Sequence, residues 1–383
     1  MHALLAIPGG LLTALPLAAE PPMLRPPTAI LANGTGIDMG DYAIPCVADW
    51  NGDGCNDLLV GFRYGDKVAV FLNSGSPTAP VFGTSSLVRA NGADINVPGS
   101  SCGAPAPWVC DYNADGLCDL LVGDGSNGTI HFYRNTHTNA QPLLAADAPL
   151  RMGAEPISVS SRATPTVADW DADGLKDLLC GDGNGYVSFF KNVGTAQVPA
   201  YAARVLLQAS GANLNLGSRS VPRVSDWDGD GLQDLVGSSS TGVYWCRNTG
   251  SRAVPVLQAR EALRVPTAAG SLTPIQTGTR MRLDLADWDG DGTPDLILGN
   301  TDGTLIRFAG YHFRVTSIQQ PAEGALTLEW TSAPWLQYTI LAGPSPDQIN
   351  TPLISGLASG GDLTTWTCPI SSPTQFYRIQ VGP

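Results

Sequence analysis

Asp49, Asn51, Asp53 and Asp57 place four side-chain oxygens at positions 1, 3, 5 and 9 of a short stretch whose position 6 is Gly54. The same box returns as Asp111, Asn113, Asp115 and Asp119 around Gly116, and as Asp169, Asp171, Asp173 and Asp177 around Gly174. It returns twice more, as Asp226, Asp228, Asp230 and Asp234 around Gly231, and as Asp287, Asp289, Asp291 and Asp295 around Gly292. Carboxylate and amide oxygens at these offsets, with a glycine that lets the backbone turn sharply, meet the demand of a hard cation for six to eight oxygen ligands. Calcium is the cation that fits. The residue after the glycine is Cys55, Leu117, Leu175, Leu232 or Thr293. Its side chain is free to vary if it contributes only its main-chain carbonyl to the ion.

An EF-hand opens in this way but closes on a bidentate glutamate at position 12. Position 12 here is Val60, Val122, Cys180, Gly237 and Leu298, which excludes a helix-loop-helix. Each box is followed instead by an apolar run, LLVG, LLVG, LLCG, LVG or LILG, the pattern of a buried β-strand. Acidic Asp-Gly turns kept for solubility would explain one such loop; they do not explain five complete copies. Eighteen of the 34 acidic residues lie in the boxes. Five dications, ten positive charges, would bring the formal net charge from −13 to −3.

The boxes begin 62, 58, 57 and 61 residues apart, so the elements that position them form a repeat about 60 residues long. Before each box runs a segment such as 29–40, 87–99 or 206–217, then an inner run such as PCVADW or PRVSDW. After it come the apolar strand and a last strand, 67–75, 129–136, 186–194, 242–250 and 304–310. Four up-and-down strands are the content of a propeller blade. The fold expected is all-β, a five-bladed β-propeller over residues 24–310 with one calcium loop per blade. A solenoid would need polar capping units at its ends, and none is seen.

The box, with its small apolar strand before and LLVG after, resembles the FG-GAP/VCBS repeat family, whose blades also build the head of integrin α-chains. The resemblance covers about three quarters of the chain, and it implies a propeller with calcium, about five ions, in loops between strands.

Position 2 of every box is aromatic: Trp50, Tyr112, Trp170, Trp227 and Trp288. These rings are expected between neighbouring blades rather than as sugar-stacking platforms. Trp108 and Trp245, which vary between repeats, are the better carbohydrate candidates, although Trp245, on an alternating strand, also reads as core. Catalytic signals are poor. His131, His137 and His312 accompany no nucleophile motif, and GDGSNG and GDGNG read as turns rather than phosphate cradles. Cys46 and Cys55 flank the first box, and Cys110 and Cys118 the second, which allows one or two bracing disulfides; Cys180 and Cys246 read as small core residues.

Residues 1–20 resemble a secretory leader with cleavage near Ala18 or Ala19, although a basic start is missing. No segment is long and apolar enough to span a membrane. Beyond residue 310 the boxes stop, and alternating strands over 311–383 resemble a small fibronectin-III-like β-sandwich. The sequence therefore points to a secreted, cell-surface or periplasmic module that binds a glycan or an extracellular protein, with structural calcium. The rival is a polysaccharide lyase or glycosidase on the same scaffold. An acidic chain, pI about 4.6, argues against nucleic acid or anionic membrane as partners.

Overall fold

The computed structural model describes residues 2–6, 13–14, 21–97, 104–267, 271–276, 280–313, 315–319, 325–333, 336–344, 348–369 and 376–382. The described residues are all β-strand and turn, apart from a single 3₁₀ position at Gln348. Each box sits between the first two strands of an up-and-down antiparallel sheet, four-stranded except in the second repeat, where the hairpin Arg89–Ala90 and Ala93–Asp94 extends the sheet to six strands through a parallel pairing of Ala90 with Leu144. In the first sheet these strands are Ala43–Ala48 and Asp57–Phe62, followed by Lys67–Phe71 and the short Ser86–Leu87. The second, third and fourth sheets start with Ala106–Cys110, Thr164–Ala168 and Val221–Ser225. The fifth starts with Arg282–Ala286, and all keep the same up-and-down order.

The fourth strand corrects the reading of the repeat. Leu87 and Leu206 open the segments 87–99 and 206–217 assigned from sequence to the unit of the following box, yet they pair with the preceding sheet. The fifth sheet takes its outer strand from the start of the chain, where Ala29 and Thr28 pair with Ile306 and Arg307. The rest of each pre-box segment forms a small hairpin rather than a long strand. Leu31–Ala32 turns back on Thr35–Gly36 through Asn33 and Gly34, both with positive φ as a two-residue type I′ turn requires.

The first strands pack side by side in sequence order, and the fifth also packs against the first. The glycine closing the apolar run makes this approach possible. A Cβ on Gly61 would come within 1.8 Å of the Pro105 carbonyl oxygen, and one on Gly123 within 1.9 Å of that of Ala163. A Cβ on Gly181 would meet the Ser220 oxygen at 2.4 Å, and one on Gly299 the Ala43 oxygen at 2.2 Å. The fourth repeat has Ser238 at this place, and its hydroxyl donates to the Met281 carbonyl at 3.0 Å. All five carbonyls belong to the residue six before a box, in the next repeat or, for Gly299, in the first.

The aromatics at position 2 are buried as expected, Trp227 completely. Beyond the repeats, Val315–Gln319, Ala325–Thr331 and Leu363–Pro369 form one sheet. Gln337–Gly343, Thr351–Ala358 and Phe376–Gly382 form another. Between them lies a core of Leu326, Leu328, Trp330, Tyr338 and Ile379. His2–Ala6 pairs antiparallel with Phe376–Gln380. The cleavage positions considered for a leader lie outside the described residues. No helix among the described residues is long and apolar enough to cross a membrane.

Candidate metal centres

Each box folds into the same loop. In the first, Asp49 Oδ1 accepts the Asp53 N–H at 3.0 Å and Oδ2 the Gly54 N–H at 2.9 Å, while Asp53 Oδ1 accepts the Cys55 N–H at 2.8 Å. The third and fifth boxes repeat all three bonds. Position 6 has φ between +81° and +88° in all five loops, the region where glycine is at ease. Position 4 is also left-handed, and there Ala114 and Ala172 hold φ of 53° and 54° without being glycine. Backbone strain of this kind costs on the order of 1–2 kcal/mol and is kept where a loop has a task.

Position 9 anchors the loop. Asp57, Asp119, Asp177, Asp234 and Asp295 are fully buried. Asp57 Oδ2 accepts the Trp50 N–H at 3.1 Å, and Oδ1 accepts the Asn73 N–H, on the third strand's far end, at 2.7 Å. Every repeat makes the equivalent pair of bonds. Burial pushes all five carboxyls up to about 6. Position 8 ties neighbouring loops together. The Asn56 amide donates to the Asp287 carbonyl at 2.9 Å, Cys118 Sγ to that of Asp49 at 3.6 Å, and Lys176 Nζ to that of Asp111.

Asp169, Asp171 and Asp177 each offer an oxygen within 4.8 Å of the others, as do Asp226, Asp228 and Asp230, and Asp287, Asp289 and Asp291. Sequence reasoning singled out these residues but missed the cation beside them. Lys191 pairs with Asp171 and Asp173, Arg247 with Asp228 and Asp230, and Arg307 with Asp289 and Asp295. The three repeats with aspartate at position 3 thus carry a tethered counter-ion. In the first two repeats position 3 is Asn51 or Asn113, and its amide donates to Asp53 or Asp115 at 2.9 Å. Even so, Asp171 Oδ1 and Asp289 Oδ1 are shielded from solvent and have no hydrogen-bond partner. Shielded carboxylate oxygens left without a donor fit a bound cation.

The bracing disulfides are not formed: Cys46, Cys55, Cys110, Cys118, Cys180 and Cys246 are free thiols. Cys46 is buried on the first strand of the first sheet, whereas Cys55 lies on the loop, so the box separates rather than joins them. Trp245 is buried and donates its indole N–H to Asp234 Oδ2 at 2.9 Å, while its side chain lines a cavity of about 390 Å³ with Glu261 and Arg264. Trp108 lies on the first strand of the second sheet, under the Arg223 guanidinium at 4.8 Å.

That arginine belongs to a group that sequence reasoning did not single out. Three residues before each box stand Cys46, Trp108, Thr166, Arg223 and Asp284, one per first strand and all different. Arg223 Nε donates to Asp284 Oδ1 at 2.6 Å and Nη1 to Thr166 Oγ1 at 3.0 Å, while Asp284 Oδ2 accepts the Val47 N–H at 2.6 Å. Both charged residues are 2% exposed. The pair therefore reaches all five first strands, and its burial suits bracing rather than turnover. The signal was the loss of repetition at one register of an otherwise repeating strand. His131 lies 3.8 Å from Asp124, apart from this pair.

A family model described as FG-GAP-like repeat matches residues 111–180 and 226–298, the spans of the second to fifth boxes. These two spans are similar to FG-GAP-like repeats. It is also 31% identical over 163 residues to integrin alpha-4 of Xenopus laevis, a match that covers 39% of this chain and 15% of that protein. Among solved structures, an Agrocybe aegerita lectin that recognises non-reducing terminal N-acetylglucosamine aligns over 97% of this chain and 96% of its own, with 16% identity and TM-score 0.35. An exo-beta-1,3-galactanase of Phanerochaete chrysosporium aligns over 93% and 96%, with 10% identity and TM-score 0.40. At such scores neither assigns a ligand or a reaction to the FG-GAP-like repeats.

Proposed function

We propose that the protein is a calcium-stabilised, five-bladed β-propeller that works outside the cell as a non-catalytic binding or adhesion module for a protein or glycan. The observation that carries the reading is the recurrence of one loop in all five repeats, with the same anchoring aspartate and, in two repeats, a shielded carboxylate oxygen without a donor. The five-bladed arrangement is supported by packing of the fifth first strand on the first and by the outer strand that Thr28–Ala29 lends to the fifth sheet. Positions 1, 3 and 5 of each box would hold the ion, together with position 9 and the carbonyl of position 7. Bound calcium would supply positive charge to a loop that otherwise concentrates three or four aspartates.

Five equivalent sites spread over five repeats define no single reaction centre, which favours a structural role for the ions. Extracellular fluid, where calcium is abundant, suits sites of the weak extracellular class. The test is a screen of the intact chain against glycans and extracellular matrix proteins, with calcium and after its removal. Saturable capture that needs calcium supports the reading. Turnover of a polysaccharide, abolished by one substitution outside the boxes, would replace it with the enzymatic one.

A further inference from the structure

The outer part of the fourth repeat holds a cavity whose lining mixes apolar and charged side chains. Trp245 stands directly opposite Glu261 in the ladder between Val243–Cys246 and Glu261–Ala262. Arg247, two residues beyond Trp245, falls on the same face because side chains alternate along extended backbone. All three line the cavity of about 390 Å³, which the hairpin Arg264–Pro266 and Leu272–Pro274 and the segment 21–24 close.

The lining is apolar where it is deep and charged where it meets water. Trp245, Leu24 and Leu263 belong to one packed cluster and are at most 9% exposed. Glu261 and Arg264 are exposed, and among the described residues neither makes an ion pair or a side-chain hydrogen bond. Small-molecule sites commonly take up roughly 300–1,000 Å³ and combine an apolar wall with a few polar groups. This cavity falls at the small end of that range, with room for a monosaccharide.

Arg247 joins the cavity to the fourth metal loop. Its Nη2 lies 2.7 Å from Asp228 Oδ2 and 3.3 Å from Asp230 Oδ2, while its Nε is shielded from solvent without a hydrogen-bond partner. Those two carboxylates are positions 3 and 5 of the box, the oxygens that a calcium ion would take. A dication there removes the partners of the guanidinium and repels it. The charge then needs another anion, and Arg247 already lines a cavity that can admit one. Arg134 is the contrast. It holds the same place in the second repeat, just before the asparagine whose N–H reaches position 9, yet it pairs with Asp147 instead of the loop.

We infer that this cavity binds a small sugar acid, and that calcium in the fourth loop strengthens the binding by releasing Arg247 from Asp228 and Asp230. The ring of the sugar packs on Trp245 and Leu263, its hydroxyls donate to Glu261, and its carboxylate accepts from Arg264 and Arg247. The inference rests on the calcium and glycan parts of the proposed function and names the ligand class. Because ion and sugar acid favour the same position of one arginine, each raises the affinity of the other by the same factor.

The test is calorimetric titration of sodium glucuronate into the intact chain, metal-stripped and calcium-saturated, at ionic strength held constant with sodium chloride. Glucose is the neutral comparison, and calcium is titrated separately with and without glucuronate. The expected result is saturable glucuronate binding, about tenfold tighter with calcium and about tenfold tighter than glucose. Arg264→Gln should weaken glucuronate about tenfold and leave calcium binding unchanged. Arg247→Met should weaken glucuronate, remove its dependence on calcium and still take up calcium at least as tightly; Arg134→Gln should change neither ligand. Both principal side chains reach solvent, and circular dichroism checks that the variants are folded. Glucuronate affinity that is equal with and without calcium, matched by glucose, or unaltered in Arg264→Gln and Arg247→Met would overturn the inference. Protein that takes up calcium but no glucuronate overturns this inference alone, whereas protein that takes up neither overturns the calcium reading with it.

Discussion

Arg223→Leu removes the cation from the pair that joins the first strands and leaves the Asp284 carboxylate buried alone. Asp284 then either stays charged without a partner or takes up a proton. Neutralising an aspartate of ordinary pKa about 3.9 costs about 4 kcal/mol at pH 7 and about 1.5 kcal/mol at pH 5. Breaking a buried pair by removing one partner costs about 3–5 kcal/mol in general, so the two routes agree at neutral pH. Burial already pushes Asp284 up in the intact protein, and loss of Arg223, which pulls it down, lifts it further. A folded value above the unfolded one means that the folded state holds the extra proton. The stability this contributes is full below the unfolded pKa and is lost as pH rises towards the folded one. The variant should melt about 8 °C or more below the parent at pH 7, with a smaller deficit at pH 5. Differential scanning calorimetry at both values reads this directly. A deficit worth less than about 1 kcal/mol, or one independent of pH, would refute the claim that the pair is dry and bracing.

Three further outcomes are expected. In metal-stripped protein, Asp57, Asp119, Asp177, Asp234 and Asp295, at about 6, hold protons that the unfolded chain releases between about pH 4 and 6. Their contribution to stability is therefore lost as pH rises through that window, and melting temperature should fall with it; calcium, which needs the deprotonated form, should reverse the slope. Gly123→Ala drives a Cβ to 1.9 Å from the Ala163 oxygen and should cost about 1–3 kcal/mol by urea unfolding, whereas a neutral result would mean the sheets are further apart than described. Lys191→Met removes the cation that competes for Asp171 and Asp173 and should tighten calcium binding at that loop by about threefold. Leu72→Lys, at the matching exposed place in the first repeat, should weaken its loop, and unchanged affinity in both variants would remove the competition argument.

Repetition made the loops, the apolar strand and the repeat count legible, because five copies of Asp-x-(Asp/Asn)-x-Asp-Gly average out the noise of any single one. The buried position-2 aromatics followed from the same regularity. The register of the outer strand did not, since Ser86–Leu87 is two residues long, too short a run for its pattern to show that it pairs back onto the preceding strand. Arg223 and Asp284 were invisible for a different reason. They lie where the repeats differ, and only the packing of first strands from distant repeats brings them together. The disulfides suggested by Cys46 and Cys55 failed because proximity along the chain placed one thiol in the core and the other on the loop.

The most direct test of the account is calorimetric titration of calcium into metal-stripped protein, with thermal unfolding followed in parallel. At about 10 to 100 times Kd each site would add roughly 1.4–2.7 kcal/mol of stability. The account predicts about five bound ions and a large rise in melting temperature. No binding, or a single ion without stabilisation, would contradict it and reduce the boxes to acidic turns.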